Sequence, residues 1–178
     1  MLRLAILRHA EAVSVAEGGD SERPLTTAGR GMAERVGRYF KNNDLVPDFA
    51  FVSPARRARE TFEGLERGAG QSFKAKFVPA LYNASIEMLS AIAEAVPDEI
   101  KFLLLVGHNP GFAEFANALA GTGKKAELAK MREHFSTPCL AIIDFDAESW
   151  PNAVAGNGHL EIFLTRAALA KLPAGDKR

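Results

Sequence analysis

Three apolar runs in this sequence are each followed by guanidinium or imidazole side chains. These side chains are Arg8 and His9 after residues 2–7, Arg56 and Arg57 after residues 49–52, and His108 after residues 102–106. An arginine binds the oxygens of a phosphoryl group in a forked geometry, and a neutral imidazole can attack phosphorus as a nucleophile. These residue types predict a site for a tetrahedral oxyanion, with transfer of a phosphoryl group as its chemistry.

The apolar runs are typical of buried strands, and segments with helical periodicity separate them. Ala28, Met32, Val36 and Phe40, for example, recur at four-residue spacing and predict one face of a helix. Strands that alternate with helices predict a three-layer α/β/α domain, with a mainly parallel sheet and helices on both faces. Because ligands bind at the carboxyl ends of the strands in such sheets, we expect the cationic side chains to converge there.

Two further local structures are predicted. The last apolar runs, residues 139–145 and 160–164, are close enough to pair as a hairpin through a turn that contains Gly and Asn. Asn109 and Pro110 follow His108 directly, and we expect Asn109 to cap a helix that Pro110 opens. The N–H groups at the start of that helix would attract an anion.

Composition limits the classes of function. The 178 residues fit one domain over residues 1–178, and 22 basic side chains balance 22 acidic ones. This balance gives no general attraction for nucleic acid or an anionic membrane, so neither is expected as a partner. Cys139 is the single cysteine, which excludes an internal disulfide, and no signal or membrane-spanning segment is expected. We expect a cytoplasmic protein, and the sequence leaves its oligomeric state open.

Four motifs together carry a resemblance to a known family. LRHAEA, RPLTTAG, SPARRARET and VGHNP, in this order, resemble the histidine phosphatase superfamily, which is also called phosphoglycerate mutase-like. Within that superfamily, this sequence is similar to the SixA-type phosphohistidine phosphatase branch, and the resemblance covers nearly the whole chain. It implies the phosphoglycerate mutase-like variant of the three-layer fold and a phosphatase activity.

The resemblance also implies roles for individual residues. His9 would be the nucleophile that accepts the phosphoryl group, and Arg8 would bind the phosphate. The motif spacing makes Arg57, rather than Arg56, the second phosphate clamp. His108 corresponds to the second family histidine. We expect His9 to attack phosphorus in line, with its other ring nitrogen donating to a backbone carbonyl, while Arg8, Arg57 and, if protonated, His108 offset the negative charge.

Two more residues are candidates for substrate binding, and no metal or cofactor is expected. Arg23, in the RPLT motif, would line the mouth of the site. Asn109 stands where many relatives have a glycine after the second histidine. Phosphoryl transfer depends mainly on positioning and electrostatics, and the cationic side chains supply both without a metal ion.

The sequence departs from many relatives where they place an acidic proton donor. That segment, after the third strand, contains Tyr82 and Asn83 but no acid before Glu87. The candidates for the acid are Glu11, which follows the nucleophile by two residues, and Glu87 as the alternative. An imidazole leaving group needs less help from an acid than an alkoxide does, so phosphohistidine is a favoured substrate.

The prediction for function is a phosphatase that acts through a phosphohistidine enzyme intermediate. Its substrate would be a histidine-phosphorylated protein or a small phosphomonoester. One alternative is a phosphohistidine-binding or regulatory module without turnover. A second is a zinc-dependent hydrolase similar to the deaminases, because His9-Ala10-Glu11 and Pro138-Cys139 match parts of their motif. Ile142 occupies the position of the second cysteine that this motif requires.

Overall fold

The computed structural model describes residues 1–172. Its centre is one sheet of seven strands with helices on both faces. The strands are β1 (Leu2–Arg8), β2 (Phe49–Val52), β3 (Ala75–Phe77), β4 (Phe102–Gly107), β5 (Ala120–Gly123), β6 (Cys139–Phe145) and β7 (Gly158–Leu164). The α-helices are α1 (Thr27–Asn42), α2 (Arg56–Ala69), α3 (Ile86–Glu94), α4 (Gly111–Leu119), α5 (Lys125–Glu133), α6 (Trp150–Ala155) and α7 (Arg166–Lys171). Short 3-10 helices cover Asp20–Glu22 and Pro79–Leu81.

The strand order across the sheet is β3-β2-β4-β1-β6-β7-β5. β4 pairs in parallel with both β1 and β2, and two further pairs, β2 with β3 and β5 with β7, are also parallel. β6 runs antiparallel to β1 and to β7. The prediction of a mainly parallel sheet is confirmed, and so is the antiparallel pairing of the last two runs. The predicted turn between them was wrong, because α6 lies in that connection.

The side chains of β1 point alternately to the two faces of the sheet, which explains why helices cover both faces. Leu2, Leu4 and Ile6 are fully buried in one cluster with side chains of α3, α4 and α6. Ala5 and Leu7 are fully buried in a second cluster with side chains of α1, α2 and α7. Successive side chains of a strand point to opposite faces of the sheet, so each apolar face requires its own layer of helices. The predicted three-layer α/β/α arrangement is confirmed.

The first long helix, α1, differs from its prediction at one position. Ala28 is exposed and Gly29 is buried instead, whereas the other three predicted positions are buried. A Cβ atom on Gly29 would lie only 2.1 Å from the carbonyl oxygen of Glu11. The missing side chain therefore allows the loop after β1 to pack directly on α1, which fixes the start of the loop that follows His9.

The start of α4 also differs from its prediction. The helix begins at Gly111 after Pro110, and no side chain caps its first turn. The Asn109 side chain instead donates through Nδ2 to the carbonyl oxygen of Phe135, at 2.9 Å. The prediction that Asn109 caps this helix was wrong because its amide is already bonded to the loop after α5.

Five short elements were not predicted from the sequence. These are β5, α6, α7 and the two 3-10 helices, none of which exceeds six residues. Their apolar patterns are too short to show a period. Over residues 1–172, every helix is too short or too polar to cross a bilayer.

Candidate active site

The sheet brings the three predicted strand ends together. β2, β4 and β1 are adjacent and parallel, so their carboxyl ends lie at one edge of the sheet. The chain remains paired just beyond each strand, because the His9 N–H donates to the Gly107 carbonyl at 3.0 Å and the Ser53 N–H donates to the Val106 carbonyl at 2.9 Å. His9, Ser53 and the residue after Gly107, His108, consequently start from neighbouring backbone positions.

His9 is held with one ring nitrogen available. Its Nδ1 lies 2.7 Å from the carbonyl oxygen of Ala10, which can only accept a hydrogen bond, so Nδ1 carries the proton. Nε2 then has the lone pair, and the Arg57 Nε–H donates to it at 3.3 Å. The side chain is 8% exposed. Burial, followed by the nearby cations Arg57 and Arg8, lowers the pKa of His9 to about 4, so the ring is neutral at pH 7.

Arg57 is a buried cation in the first turn of α2. It is 4% exposed, and its position at the positive end of the helix dipole is unfavourable for a cation. Its Nη1 donates to the Asp20 carbonyl oxygen at 2.7 Å, and its Nη2 donates to the Asp20 carboxylate at 3.1 Å. A buried guanidinium requires an anionic partner, and Asp20 provides one in this structure.

His108 lies beside His9, with 5.1 Å between the ring centroids. Its Nε2 is 2.6 Å from the hydroxyl of Ser53, and its buried Nδ1 has no partner among the described residues. Burial, followed by His9 and Arg57, lowers the pKa of His108 to about 3. Without a bound anion the ring is therefore neutral at pH 7. A Cβ on Gly107 would lie 2.4 Å from the Phe112 ring, so a glycine is required immediately before His108.

Arg8 and Asn109 share one anchor. Nη1 of Arg8 donates to the Phe135 carbonyl oxygen, which also accepts the hydrogen bond from Asn109. The Arg8 Nε is buried and lacks a partner among residues 1–172. Burial lowers the pKa of Arg8 from its usual value. An unpaired donor on a partly buried cation is costly, and an anion with acceptor oxygens would satisfy it.

Thr61 connects the loop after β1 to α2. The Ala10 N–H donates to the Thr61 hydroxyl at 2.9 Å, and that hydroxyl donates to the Arg57 carbonyl at 2.6 Å. Thr61 is fully buried. The Ala10 peptide also accepts the hydrogen bond of His9, so a single buried hydroxyl links the backbone that orients His9 to the backbone that carries Arg57.

We call His9, Arg57 and His108 the floor of the site, and Asp20, Arg23 and Tyr82 its mouth. Asp20 accepts hydrogen bonds from the Tyr82 hydroxyl and from Nε of Arg23, the latter at 2.9 Å. The Asp20 side chain is 53% exposed. The Tyr82 ring lies edge-on to His108, with 5.5 Å between centroids. Arg23 and Tyr82 are thus joined at the mouth through Asp20.

The two predicted acids are not brought to this cluster. The Glu11 carboxylate accepts hydrogen bonds from Arg166 and Thr26, and these bonds lower its pKa. Glu87 lies exposed in the first turn of α3, and its hydrogen bond with Ser85 lowers its pKa. Both carboxylates are engaged with other partners, and a lowered pKa makes each a weaker source of protons.

Ser53, Thr61 and Asp20 have no role predicted from the sequence. Ser53, Arg57 and Thr61 are four residues apart, a spacing that places the last two on one helical face and could have indicated Thr61. Asp20 lies in a polar stretch without periodicity, and no local signal distinguishes it from Glu22. Its place in the site depends on Tyr82, which is 62 residues away in the sequence.

A zinc site would require at least three suitable ligands close together. Among residues 1–172, no group of three or more His, Cys, Asp or Glu side chains is arranged to hold a metal ion. Cys139, the cysteine of the deaminase-like motif, is fully buried in β6, and burial raises the pKa of its thiol. The zinc-dependent alternative has no ligand set in this part of the chain.

Comparison with known proteins identifies the family. The family model for the histidine phosphatase superfamily (branch 1) matches residues 4–89. The chain is 30% identical to a candidate phosphohistidine phosphatase SixA from Agrobacterium tumefaciens, with a TM-score of 0.75 over 92% of this chain and 97% of that one. The structure of another candidate phosphohistidine phosphatase SixA, from Nakamurella multipartitia, has a TM-score of 0.81 at 23% identity, covering 92% of this chain and 95% of that one.

A third structure, of the protein histidine phosphatase SixA complexed with tungstate, has a TM-score of 0.76 at 24% identity. That alignment covers 94% of this chain and 99% of the other. The last two structures show the fold, while the Agrobacterium protein combines the fold with sequence identity over nearly its whole length. Together with the family model, these similarities show that this chain belongs to the histidine phosphatase superfamily and to its SixA-type branch.

Proposed function

We propose that this chain hydrolyses phosphorylated substrates through a phosphoryl group carried on Nε2 of His9. The observation that carries the proposal is the orientation of this ring. Nδ1–H is bonded to the Ala10 carbonyl, and the lone pair of Nε2 faces the guanidinium of Arg57. A neutral, fixed imidazole whose free nitrogen faces a buried cation is suited to attack phosphorus while the cation binds the phosphoryl oxygens.

In the first step, Nε2 of His9 forms a bond to phosphorus as the bond from phosphorus to the leaving group breaks. The leaving group departs with the bonding electron pair. Arg57 and Arg8 donate to the equatorial oxygens, whose charge they offset in the transition state. The unpartnered Nε of Arg8 and the unpartnered Nδ1 of His108 are the atoms that we assign to these oxygens.

His108 has a charge that depends on the substrate. Its ring is neutral without an anion because burial and its cationic neighbours disfavour the protonated form. A phosphoryl dianion placed beside the ring favours the charged form and raises the pKa. We therefore assign His108 as a donor that becomes cationic when the substrate binds, with the Ser53 hydroxyl fixing its Nε2.

In the second step, water attacks the phosphorus of phosphorylated His9, and the bonding electron pair returns to Nε2. Inorganic phosphate is released and the neutral imidazole is restored. These steps require positioning and charge but no metal ion or cofactor. The substrate that we propose is a phosphohistidine in a protein, or a small phosphomonoester with a good leaving group. The SixA relative that is a protein histidine phosphatase supports the first of these.

Rapid quench with a labelled aryl phosphate tests the covalent step. Wild type should yield a phosphoenzyme that is labile in acid and stable in base, and His9→Ala should yield none and lose turnover. His134→Ala is the matched control, because the His134 side chain is 73% exposed. Turnover by His9→Ala at the wild-type rate would exclude the covalent mechanism. If wild type instead bound the phosphorylated substrate stably without turning it over, the result would support the phosphohistidine-binding module.

Substrates with different leaving groups test the substrate class. The carboxylates of Glu11 and Glu87 are both bonded to residues outside the floor, so protonation of an alkoxide should be poorly supported. General acid catalysis contributes roughly 10²–10⁴-fold, and phosphohistidine or an activated aryl phosphate should exceed a simple alkyl phosphate in kcat/KM by about that margin. Glu11→Gln and Glu87→Gln should leave this ratio unchanged. Rapid alkyl phosphate hydrolysis that one of these variants abolishes would identify that glutamate as the acid.

A further inference from the structure

The mouth contains a carboxylate to which the proposed mechanism gives no role. Asp20 accepts a hydrogen bond from Nη2 of Arg57 at 3.1 Å, and Nε of the same guanidinium lies 3.3 Å from Nε2 of His9. One side chain therefore contacts both the nucleophile and this carboxylate. His9 is buried whereas Asp20 is half exposed, so Asp20 lies on the solvent side of the phosphoryl position.

The geometry of in-line transfer makes that side important. The leaving group departs from the face of phosphorus opposite the nucleophile, and the water that later attacks phosphorylated His9 must approach from that same face. His9 is in the floor, so this face opens toward the mouth. Of the three side chains that form the mouth, Asp20 carries the only carboxylate.

We propose that Asp20 is the general base that takes a proton from the water attacking phosphorylated His9. This inference rests on the proposed function and adds the residue that handles the proton. Asp20 takes this role in place of the two predicted glutamates. The Glu11 carboxylate is bonded to Arg166 and Thr26, and the Glu87 carboxylate to Ser85.

The step balances in atoms and charge. The water oxygen forms a bond to phosphorus, its proton passes to Oδ2 of Asp20, and the bond from phosphorus to Nε2 of His9 breaks with its electron pair returning to the ring. The neutral carboxyl group then gives its proton to the departing phosphate or to solvent. No further reactant is consumed.

The hydrogen-bond donors around Asp20 favour a role as a base over a role as an acid. The hydrogen bond from Tyr82, with those from Arg23 and Arg57, holds the pKa of Asp20 at about 2. The carboxylate is therefore ionised at neutral pH and able to accept a proton. When a phosphoryl group binds Arg57, it takes this donor away from Asp20 and repels the carboxylate. A water molecule between the two anions separates them and provides the nucleophile.

Single-turnover kinetics of Asp20→Asn with a labelled aryl phosphate test this role. Asparagine keeps the shape and can still accept a hydrogen bond through its amide oxygen, but it cannot serve as a base. Formation of phosphorylated His9 should proceed at the wild-type rate or faster, because a competing anion is removed. Its hydrolysis should slow by roughly 10²–10³-fold, within the range for acid–base catalysis, so the phosphoenzyme should accumulate. Glu22→Gln is the control, since this exposed acid lies in the same 3-10 helix and should change neither rate.

A second variant distinguishes a base from a structural residue. Asp20→Ala should also accumulate the phosphoenzyme, and added formate should restore part of its hydrolysis, because a small carboxylate can replace the missing one. Hydrolysis of the Asp20→Asn phosphoenzyme at the wild-type rate would overturn the proposal and leave the covalent mechanism intact. An equal loss of formation and hydrolysis would overturn it as well, by showing a structural role. Absence of any phosphoenzyme in wild type would reject the proposed function itself, and this inference with it.

Discussion

The floor of the site and its mouth differ in burial more than in chemistry. His9, Arg57 and His108 are at most 8% exposed, whereas the Asp20 side chain is 53% exposed. Burial makes a charged group depend strongly on its partners. Ala10 and Ser53 each hold one ring nitrogen of the two floor histidines, and Thr61 links the Ala10 backbone to that of Arg57. Nδ1 of His108 has no partner among the described residues.

The hydrogen bonds of the mouth, by contrast, are exposed to solvent. Its hydrogen bonds join Asp20 to Arg23 and Tyr82 close to solvent, where each contributes less and is exchanged more easily. A fixed floor and a mouth whose hydrogen bonds exchange easily fit a site with two tasks. The phosphoryl group always binds the same atoms of the floor, while the leaving group and then the water occupy the mouth in turn. The difference predicts large effects for changes in the floor and small effects for changes in the mouth that leave Asp20 in place.

Apart from loss of His9 itself, the largest effect is expected for Arg57→Ala. It removes a buried cation from the transition state, and the loss of a comparable donor costs about 2.7–4 kcal/mol, or roughly 10²–10³-fold in turnover. Arg56→Ala is the matched control, because Arg56 is 46% exposed and pairs with Glu60 at the surface. Steady-state kcat/KM of the two variants checks the prediction, with urea unfolding to show that both are folded. A greater loss in Arg56→Ala would contradict the assignment of the floor.

The floor could be predicted from the sequence for a physical reason. The apolar runs at β1, β2 and β4 are strong signals of buried strands, and a parallel α/β sheet brings the ends of such strands to one edge. Arg8, His9, Arg57 and His108 therefore followed from local patterns and from the family resemblance. Asn109 did not behave as predicted, because a carbonyl in a distant loop, that of Phe135, binds its side chain.

The mouth could not be predicted in the same way. Asp20 lies in a 3-10 helix of three residues, preceded by Gly18 and Gly19 with φ values of 95° and 94°. Its contacts with Arg57 and Tyr82 are long-range, and no periodicity encodes them. The glutamates at positions 11 and 87 were chosen by proximity in the sequence, which says little about proximity in the fold.

A smaller effect in the floor is expected for Ser53→Ala. The change leaves Nε2 of His108 without its partner, and an unsatisfied buried group costs about 1–3 kcal/mol. We expect kcat/KM to fall by roughly 10- to 100-fold, since an equivalent loss of transition-state stabilisation has that size. Ser53 is a positioning residue, so its effect should vanish when His108 is already replaced. Equal losses from Ser53→Ala in the wild-type and His108→Ala backgrounds would show that the serine acts through another group.

The buried imidazoles also predict how stability depends on pH. His9 and His108 stay neutral in the folded state down to pH values of about 4 and about 3, whereas in the unfolded chain a histidine binds a proton below about pH 6.5. The unfolded state therefore binds more protons as the pH falls from 6.5 toward 4. The free energy of unfolding should decrease over this range by up to about 1.4 kcal/mol per pH unit for each histidine.

Urea unfolding of His9→Asn between pH 7 and 5 measures this contribution. The variant should show a shallower decrease than wild type, while His159→Asn, at a position exposed to solvent, should retain the wild-type slope. Asp20 belongs to a separate range, because its lowered pKa contributes stability that is lost only as the pH falls from about 4 toward about 2. Equal slopes in wild type and His9→Asn would show that His9 is not held neutral by the fold.

The smallest effect is expected at the mouth, for Tyr82→Phe. Phenylalanine keeps the ring that lies against His108 and under the guanidinium of Arg57 and removes only the hydroxyl that donates to Asp20. With one donor fewer, Asp20 is held less firmly against Arg57, and an oxyanion should displace it more easily. The inhibition constant for tungstate should therefore decrease by about 2- to 10-fold, the equivalent of one hydrogen bond of about 0.5–1.5 kcal/mol. Competitive inhibition of aryl phosphate hydrolysis measures this constant. Weaker inhibition by tungstate would instead show that the Tyr82 hydroxyl binds the oxyanion itself, and Tyr82 would then belong with the groups of the floor.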